Sequence, residues 1–118
     1  MPDQRDILLI PIPFTDLTSQ RRRPVVVISN DEYNRSTEDI VVVAMTSNLR
    51  PADYSFTITS ADLDVGTLQR PSRIRVDKIY TLAQSIVVKR FGQVNEATFD
   101  RIRQLLSELV AKKPWSET

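Results

Sequence analysis

Two runs, Pro24-Val25-Val26-Val27-Ile28-Ser29 and Ile40-Val41-Val42-Val43-Ala44-Met45, decide the fold of this chain. Both are dominated by β-branched residues, whose stiff χ1 suits a pleated strand. Neither alternates apolar with polar, so both faces of each strand are expected to be buried. A protein this small buries two strand faces by closing its sheet into a barrel or by adding a partner subunit. Pro24 stands at a strand's first position, where its missing N–H is tolerated.

Working outward, Ile7-Leu8-Leu9-Ile10-Pro11-Ile12-Pro13 reads as a strand whose proline-studded far end lies at an edge or bulge. Tyr54-Ser55-Phe56-Thr57-Ile58-Thr59 alternates cleanly, as does Arg73-Ile74-Arg75-Val76-Asp77, whose outward face is charged. A further strand is expected around Ile86 to Val94, interrupted by Gly92. Phe99, Ile102, Leu105, Leu106, Leu109 and Val110 then fall three and four apart, with Asp100, Arg101, Arg103 and Glu108 opposite. That spacing predicts an amphipathic helix over about 96–111, capped by Asn95 or Thr98 and stopped before Pro114. The expectation is a mainly β single domain over residues 1–118: five to six antiparallel strands and a C-terminal α-helix.

Composition narrows the chemistry. With 41% hydrophobic and 26% charged residues, the 118-residue chain has ordinary globular values. Sixteen basic against fifteen acidic residues give a net charge of +1, too little to coat nucleic acid through bulk charge. Any such contact must rest on a local patch. Cysteine is absent, which excludes disulfides, thiolate metal sites and cysteine nucleophiles. Histidine is absent too, removing serine–histidine triads and the histidine acid–base pair common among metal-independent ribonucleases. No metal and no cofactor is implied. The first residues carry no signal-peptide pattern, and no apolar run approaches the 18 to 20 residues that span a bilayer, so a cytoplasmic protein with no membrane contact is expected.

Three places offer chemistry. The loop from Phe14 to Arg23 ends in Arg21-Arg22-Arg23, a phosphate-matching concentration of guanidinium groups. An arginine run in isolation is more often a solvated turn. Thr46-Ser47-Asn48 follows the third strand, where hydroxyls bind phosphate oxygens or, at least as often, bond their own turn. Arg73, Arg75 and Asp77 share one strand face by their spacing of two. Cross-strand ion pairing is the commoner role of such a trio. Yet an arginine beside a carboxylate is also a minimal apparatus for RNA transesterification: the base takes the 2′-hydroxyl proton and the cation neutralises the phosphorane.

In this order, Asp6-Ile-Leu-Leu-Ile-Pro11, Arg23-Pro24-Val-Val-Val-Ile-Ser29, Met45-Thr46-Ser47-Asn48, Arg75-Val76-Asp77-Lys78-Ile79 and the terminal helix resemble the MazF/PemK family of toxin ribonucleases, from Asp6 to about Val110. The resemblance implies an SH3-like small barrel of the CcdB/PemK type and a homodimer with single-stranded RNA lying across its interface. It implies metal-free, sequence-specific cleavage of mRNA to 2′,3′-cyclic phosphate and 5′-hydroxyl ends. It also implies a cognate MazE/PemI-like antitoxin that inserts a disordered C-terminal segment, with DNA met only through that antitoxin. Carried over by motif, Arg23, Thr46, Ser47, Arg75 and Asp77 would be catalytic, with RNA contacts at Asp6, Thr15, Asp16, Arg21, Arg22, Asn48 and Arg73. Asp77 is the one obvious base among them. An arginine, with a pKa above about 12, is a poor proton donor, so Arg23 and Arg75 read mainly as clamps on phosphorane charge.

The chain departs from the family in three respects. Arg5 stands where the family commonly has Gly, no histidine occupies the first loop, and that loop lacks the glycines of several relatives. Two alternatives keep the same fold. One is a gyrase-binding toxin like CcdB, with Trp115 as a possible interface anchor. The other is an inactive barrel that only binds RNA or an antitoxin.

Overall fold

The structure is a computed structural model and describes residues 1–11 and 22–116. Its strands are β1 (Asp6–Pro11), β2 (Arg22–Val27), β3 (Asp39–Thr46), β4 (Ser55–Ile58), β5 (Leu63–Val65), β6 (Ser72–Ala83) and β7 (Lys89–Val94). A short helix, α1 (Asp31–Ser36), links β2 to β3, and α2 (Glu96–Leu109) follows β7. All seven strands join one antiparallel sheet in the order β4-β6-β3-β2-β1-β7-β5, curled into a half-barrel.

The mainly β architecture with its C-terminal helix is as expected, but the strand count is seven and the two edge strands, β4 and β5, do not pair with each other among the described residues. The added strand is β5, whose three residues Leu-Asp-Val are too short to show a period. The strand expected from Ile86 begins only at Lys89, because Gln84–Ile86 form a 3₁₀ turn. Gly92 lies inside β7 and serves it: a Cβ there would stand 2.7 Å from the Val65 carbonyl oxygen of β5. Only glycine lets the two backbones approach so closely.

The two aliphatic runs bury both faces, as their composition requires. Val26, Val43 and Met45 join Ile7, Ile74, Phe99 and Ile102 in a core between the sheet and α2. Val25, Val27 and Val42 point the other way, packing with Leu8, Ile10 and Ile40 beneath Leu82 and Val87. Each fully buried aliphatic side chain contributes about 1.5–3 kcal/mol. The cap of α2 is Asn95, whose side chain accepts from the Thr98 N–H at 2.9 Å, leaving Thr98 itself buried. No helix among the described residues is long and apolar enough to cross a membrane.

Candidate active site

Strand register assembles the site. Ala44 pairs with Arg75 and Thr46 with Arg73 across β3 and β6. Val25 pairs with Ala44 across β2 and β3, so antiparallel counting sets Arg23 opposite Thr46. Arg23, Thr46 and Arg73 therefore form a row across three strands. They share the face that carries Val25 and Val42, and along it the surface changes within two residues from buried aliphatic to cationic. A groove of about 300 Å³ opens there, lined by Arg23, Thr46, Asn48, Arg50, Arg73, Arg75 and Lys78 among others. The described lining contains no carboxylate.

Arg75 and Asp77 form a fixed pair. Arg75 Nε donates to Asp77 Oδ1 at 2.9 Å and Nη2 to Oδ2 at 2.8 Å, a bidentate fork. The ladder makes room for it: Val43 pairs with Ile79 and Ala44 with Arg75, so β6 bulges over Val76–Lys78. The hydrogen bonds from Arg75 hold the Asp77 carboxyl below its ordinary value. Reciprocally, the bond to Asp77 raises Arg75 above the ordinary guanidinium value. Both side chains keep some contact with solvent, 26% and 30% exposed, so a substrate can reach them.

Thr46 and Asn48 shape the strand end. Thr46 Oγ1 accepts from the Asn48 N–H at 3.1 Å, and Asn48 Oδ1 accepts from the Arg50 N–H at 3.0 Å. These are the turn bonds common to such residues. They use acceptor lone pairs only, so the Thr46 hydroxyl proton is still available to an anion. Arg73 is tethered by neutral groups, with Nη1 donating to Ser55 Oγ at 2.9 Å and Nη2 reaching the Leu49 carbonyl at 3.5 Å. Its Nε is buried with no hydrogen-bond partner among the described residues. A buried donor left unsatisfied costs about 1–3 kcal/mol, more when charged.

Other candidate residues lie elsewhere. Strand alternation sends Arg22 to the face opposite Arg23, so these two do not share one face of the sheet. Ser47 is exposed beyond the end of β3 and does not line the groove. Asp6 is 1% exposed and committed internally, accepting from the Arg90 Nε at 2.8 Å, the Asp3 N–H at 2.8 Å and Gln93 Nε2 at 3.3 Å. The bonds from Arg90 and Gln93 tie β1 to β7, and Asp6 is not among the described residues that line the groove. Thr15, Asp16 and Arg21 fall outside the described residues. No group of three or more potential metal ligands occurs among the described residues.

A sequence model of the PemK-like, MazF-like toxins of type II toxin–antitoxin systems matches residues 3–110. The chain belongs to this toxin family. No curated protein matches its sequence. Solved structures do match its fold. An endoribonuclease bound to its cognate antitoxin, from a mycobacterial species, aligns at 20% identity and TM-score 0.73 over 97% of this chain and 100% of that one. An endoribonuclease from mycobacterial species aligns at 24% identity and TM-score 0.73, over 96% and 95% of the two chains. The MazE–MazF structure from Deinococcus radiodurans gives 18% identity and TM-score 0.70, over 95% and 97%.

For a PemK-like, MazF-like toxin, Arg5 in place of Gly now has a physical reading. Arg5 has φ 77°, in the left-handed region where glycine is at ease and other residues are strained. Its side chain offsets that strain by donating to the Val94 carbonyl and Asp64 Oδ2, both at 3.0 Å. Two groove residues, Arg50 and Lys78, escaped the reading of the sequence. Arg50 lies two residues past Asn48 and Lys78 directly after Asp77, so extending each motif by a turn's length would have included them.

Proposed function

We propose that this toxin-family chain is an endoribonuclease that cuts single-stranded RNA in the groove between Arg23 and Arg75, using no metal. One observation carries the reading: the sheet register brings Arg23, Thr46 and Arg75 to one cationic groove, where Arg75 holds Asp77 by a fork of hydrogen bonds. Asp77 takes the proton from the 2′-hydroxyl, and the freed oxygen attacks the adjacent phosphorus. The bond from phosphorus to the 5′ oxygen breaks, leaving a 2′,3′-cyclic phosphate and a 5′-hydroxyl end. Arg23 and Arg75 neutralise the dianionic phosphorane while Thr46 donates to a non-bridging oxygen. Arg75, raised in pKa by Asp77, is a poor acid, so the departing oxygen takes its proton from water.

The partners follow from the same reading. Relatives solved with a cognate antitoxin support an acidic MazE/PemI-like partner whose disordered segment occupies the cationic groove. A homodimer is supported by β6, whose ladder with β4 runs only to Arg75 among the described residues, and by Ile79 beyond it, which is 40% exposed. The protein would act in the cytoplasm, where mRNA is found.

Purified protein should cleave single-stranded RNA in EDTA, and Arg23→Ala or Thr46→Ala should reduce the rate by about 100-fold or more with unfolding unchanged. Cleavage that disappears in EDTA would overturn the metal-free mechanism. RNA left intact beside inhibited gyrase supercoiling would replace the assignment with a gyrase-binding toxin.

A further inference from the structure

We infer that the segment leaving the end of α2, Lys112-Lys113-Pro114-Trp115, is a second contact for single-stranded RNA, in which the Trp115 indole stacks on a base outside the groove. The inference rests on the RNA-cleaving reading and adds to it a grip on the flank of the substrate.

The segment lies outside what the family shares. The family match ends at residue 110, where α2 closes with Val110 as its cap. Residues 112–116 take neither helix nor strand, and all are exposed. Trp115 is the sole tryptophan of the chain and is 89% exposed, whereas an indole normally buries most of its large apolar surface. It belongs to neither core cluster. Since α2 packs on the face of the sheet opposite the groove, the tail meets a bound strand only beyond the groove.

The neighbours of the indole suit a nucleic acid. Lys112 and Lys113 precede it directly, and the first acidic residue comes after it, at Glu117. Pro114 fixes its own φ and biases Lys113 to extended backbone. At about 3.1 Å per residue in such a segment, the Lys113 and Trp115 backbones stand about 6 Å apart. A cation and a flat ring at that interval match a strand that presents phosphates and bases in turn, the combination that binds single strands without reading their sequence.

Magnitudes separate the possible partners. Stacking on one base is worth about 5- to 150-fold in affinity, and two exposed lysines add a salt-dependent factor. That is too little to hold the protein on a membrane, where even a single myristoyl chain anchors only marginally. It is also too small a surface for a stable protein interface. An RNA already lying in the groove needs far less. Its flank is tethered near the tail at an effective concentration of the order of millimolar, so a weak contact adds directly to the grip.

The test starts with a long single-stranded RNA on which the wild-type protein maps a cleavage site; no cleavage there overturns the nuclease reading and the tail contact with it. Two RNAs are then compared, the shortest that is cut at that site and the same RNA extended on both sides. Extension should lower the wild-type KM about tenfold with kcat little changed. Trp115→Ala should lose that advantage on the extended RNA while cutting the short one at the wild-type rate. Trp115→Phe, which keeps a stacking ring, should restore most of it. As the sole tryptophan, Trp115 also reports the contact through its own emission. The extended RNA, made uncleavable by a 2′-deoxy nucleotide at the cut, should quench that emission, and the short one should not. Lys112→Ala combined with Lys113→Ala should lower the salt slope of affinity for the extended RNA by about 1.4. Wild-type protein that cuts both RNAs alike, or an equal loss on both in Trp115→Ala, overturns the tail contact and leaves the nuclease reading intact. Emission that shifts with phosphatidylserine vesicles and not with RNA overturns it in the same way.

Discussion

Replacing Asp6 by Asn separates a structural carboxylate from an RNA contact. The Asp6 carboxylate is 1% exposed and receives two short bonds, from Arg90 Nε and the Asp3 N–H, each at 2.8 Å. Hydrogen bonds to a charged group contribute about 1.5–3 kcal/mol each. Breaking a buried ion pair costs about 3–5 kcal/mol when both partners are sealed from water. Arg90 is 47% exposed and rehydrates when released, so most of the cost falls on the Asp6 side. An amide retains one acceptor oxygen but turns its NH₂ toward a donor, which gives an expected loss of about 2–3 kcal/mol. Unfolding entropy near 2.1 cal/mol/K per residue converts this, for a chain of this length, to a fall in Tm of about 8–12 °C. Thermal and urea unfolding followed by circular dichroism measure it, and Arg90→Met combined with Asp6→Asn should show coupling of about 1 kcal/mol or more. RNA cleavage assayed well below the lowered Tm should stay within about twofold of wild type. A variant that unfolds like wild type but cleaves tenfold more slowly would refute the reasoning and return Asp6 to the substrate.

The other predictions concern backbone strain, close approach and proton transfer. Arg5→Ala keeps the positive φ and loses both side-chain bonds, whereas Arg5→Gly loses the bonds but relaxes the backbone. The Gly variant should therefore be the more stable of the two by about 1 kcal/mol in urea unfolding, the reverse of their order at an ordinary position; equal stability counts against the strain. Gly92→Ala should destabilise by about 1–3 kcal/mol, since its Cβ meets the Val65 carbonyl oxygen at 2.7 Å, and an unchanged midpoint would show that β5 yields freely. Because Arg75 lowers the folded pKa of Asp77, the pair's small stabilisation is present above the unfolded value of 3.8 and is lost as pH falls through the folded one. If Asp77 is the base, as proposed, it should set the acid limb of cleavage: for kcat/KM below about 4, and for kcat above that of kcat/KM. An acid limb between 6 and 7 in kcat/KM would remove Asp77 from the role of base.

Period and β-branching made most of the fold legible. Val25 to Val27 declared buried faces on both sides, and the spacing of Phe99, Ile102 and Leu105 declared the helix. What escaped were elements too short for a period to show. β5 has three residues and α1 six, and α1 forms because Asn30 caps it through the Tyr33 N–H at 2.8 Å. Within the site, residues on one strand were legible together, since Arg75 and Asp77 share a face by spacing alone. Residues on different strands required the register. Nothing local to Arg22 and Arg23 reveals which of the two meets Thr46; the pairing of Val25 with Ala44 does. The motif position of Asp6 says nothing about Arg90, its partner 84 residues away.

The fork between Arg75 and Asp77 sets the terms on which a chain without histidine can act as a base. Two hydrogen bonds lower the Asp77 pKa and favour its anion, but by stabilising the anion they also weaken its pull on a proton. An arriving phosphate competes for the same guanidinium, and phosphate and carboxylate both match its fork. On the proposed mechanism, Arg75 would turn toward the phosphate, and Asp77 would give up donors and gain proton affinity beside the 2′-hydroxyl. In the free protein the pair is mutually satisfied, with a raised Arg75 and a lowered Asp77. In the proposed complex the cation would serve the phosphorane and the carboxylate would be free to accept. Basicity would thus be conferred by the substrate, which requires the pair to be partly exposed and exchangeable, as its 26% and 30% exposure allows. A sealed pair would hold its charge as firmly but could not hand the arginine over.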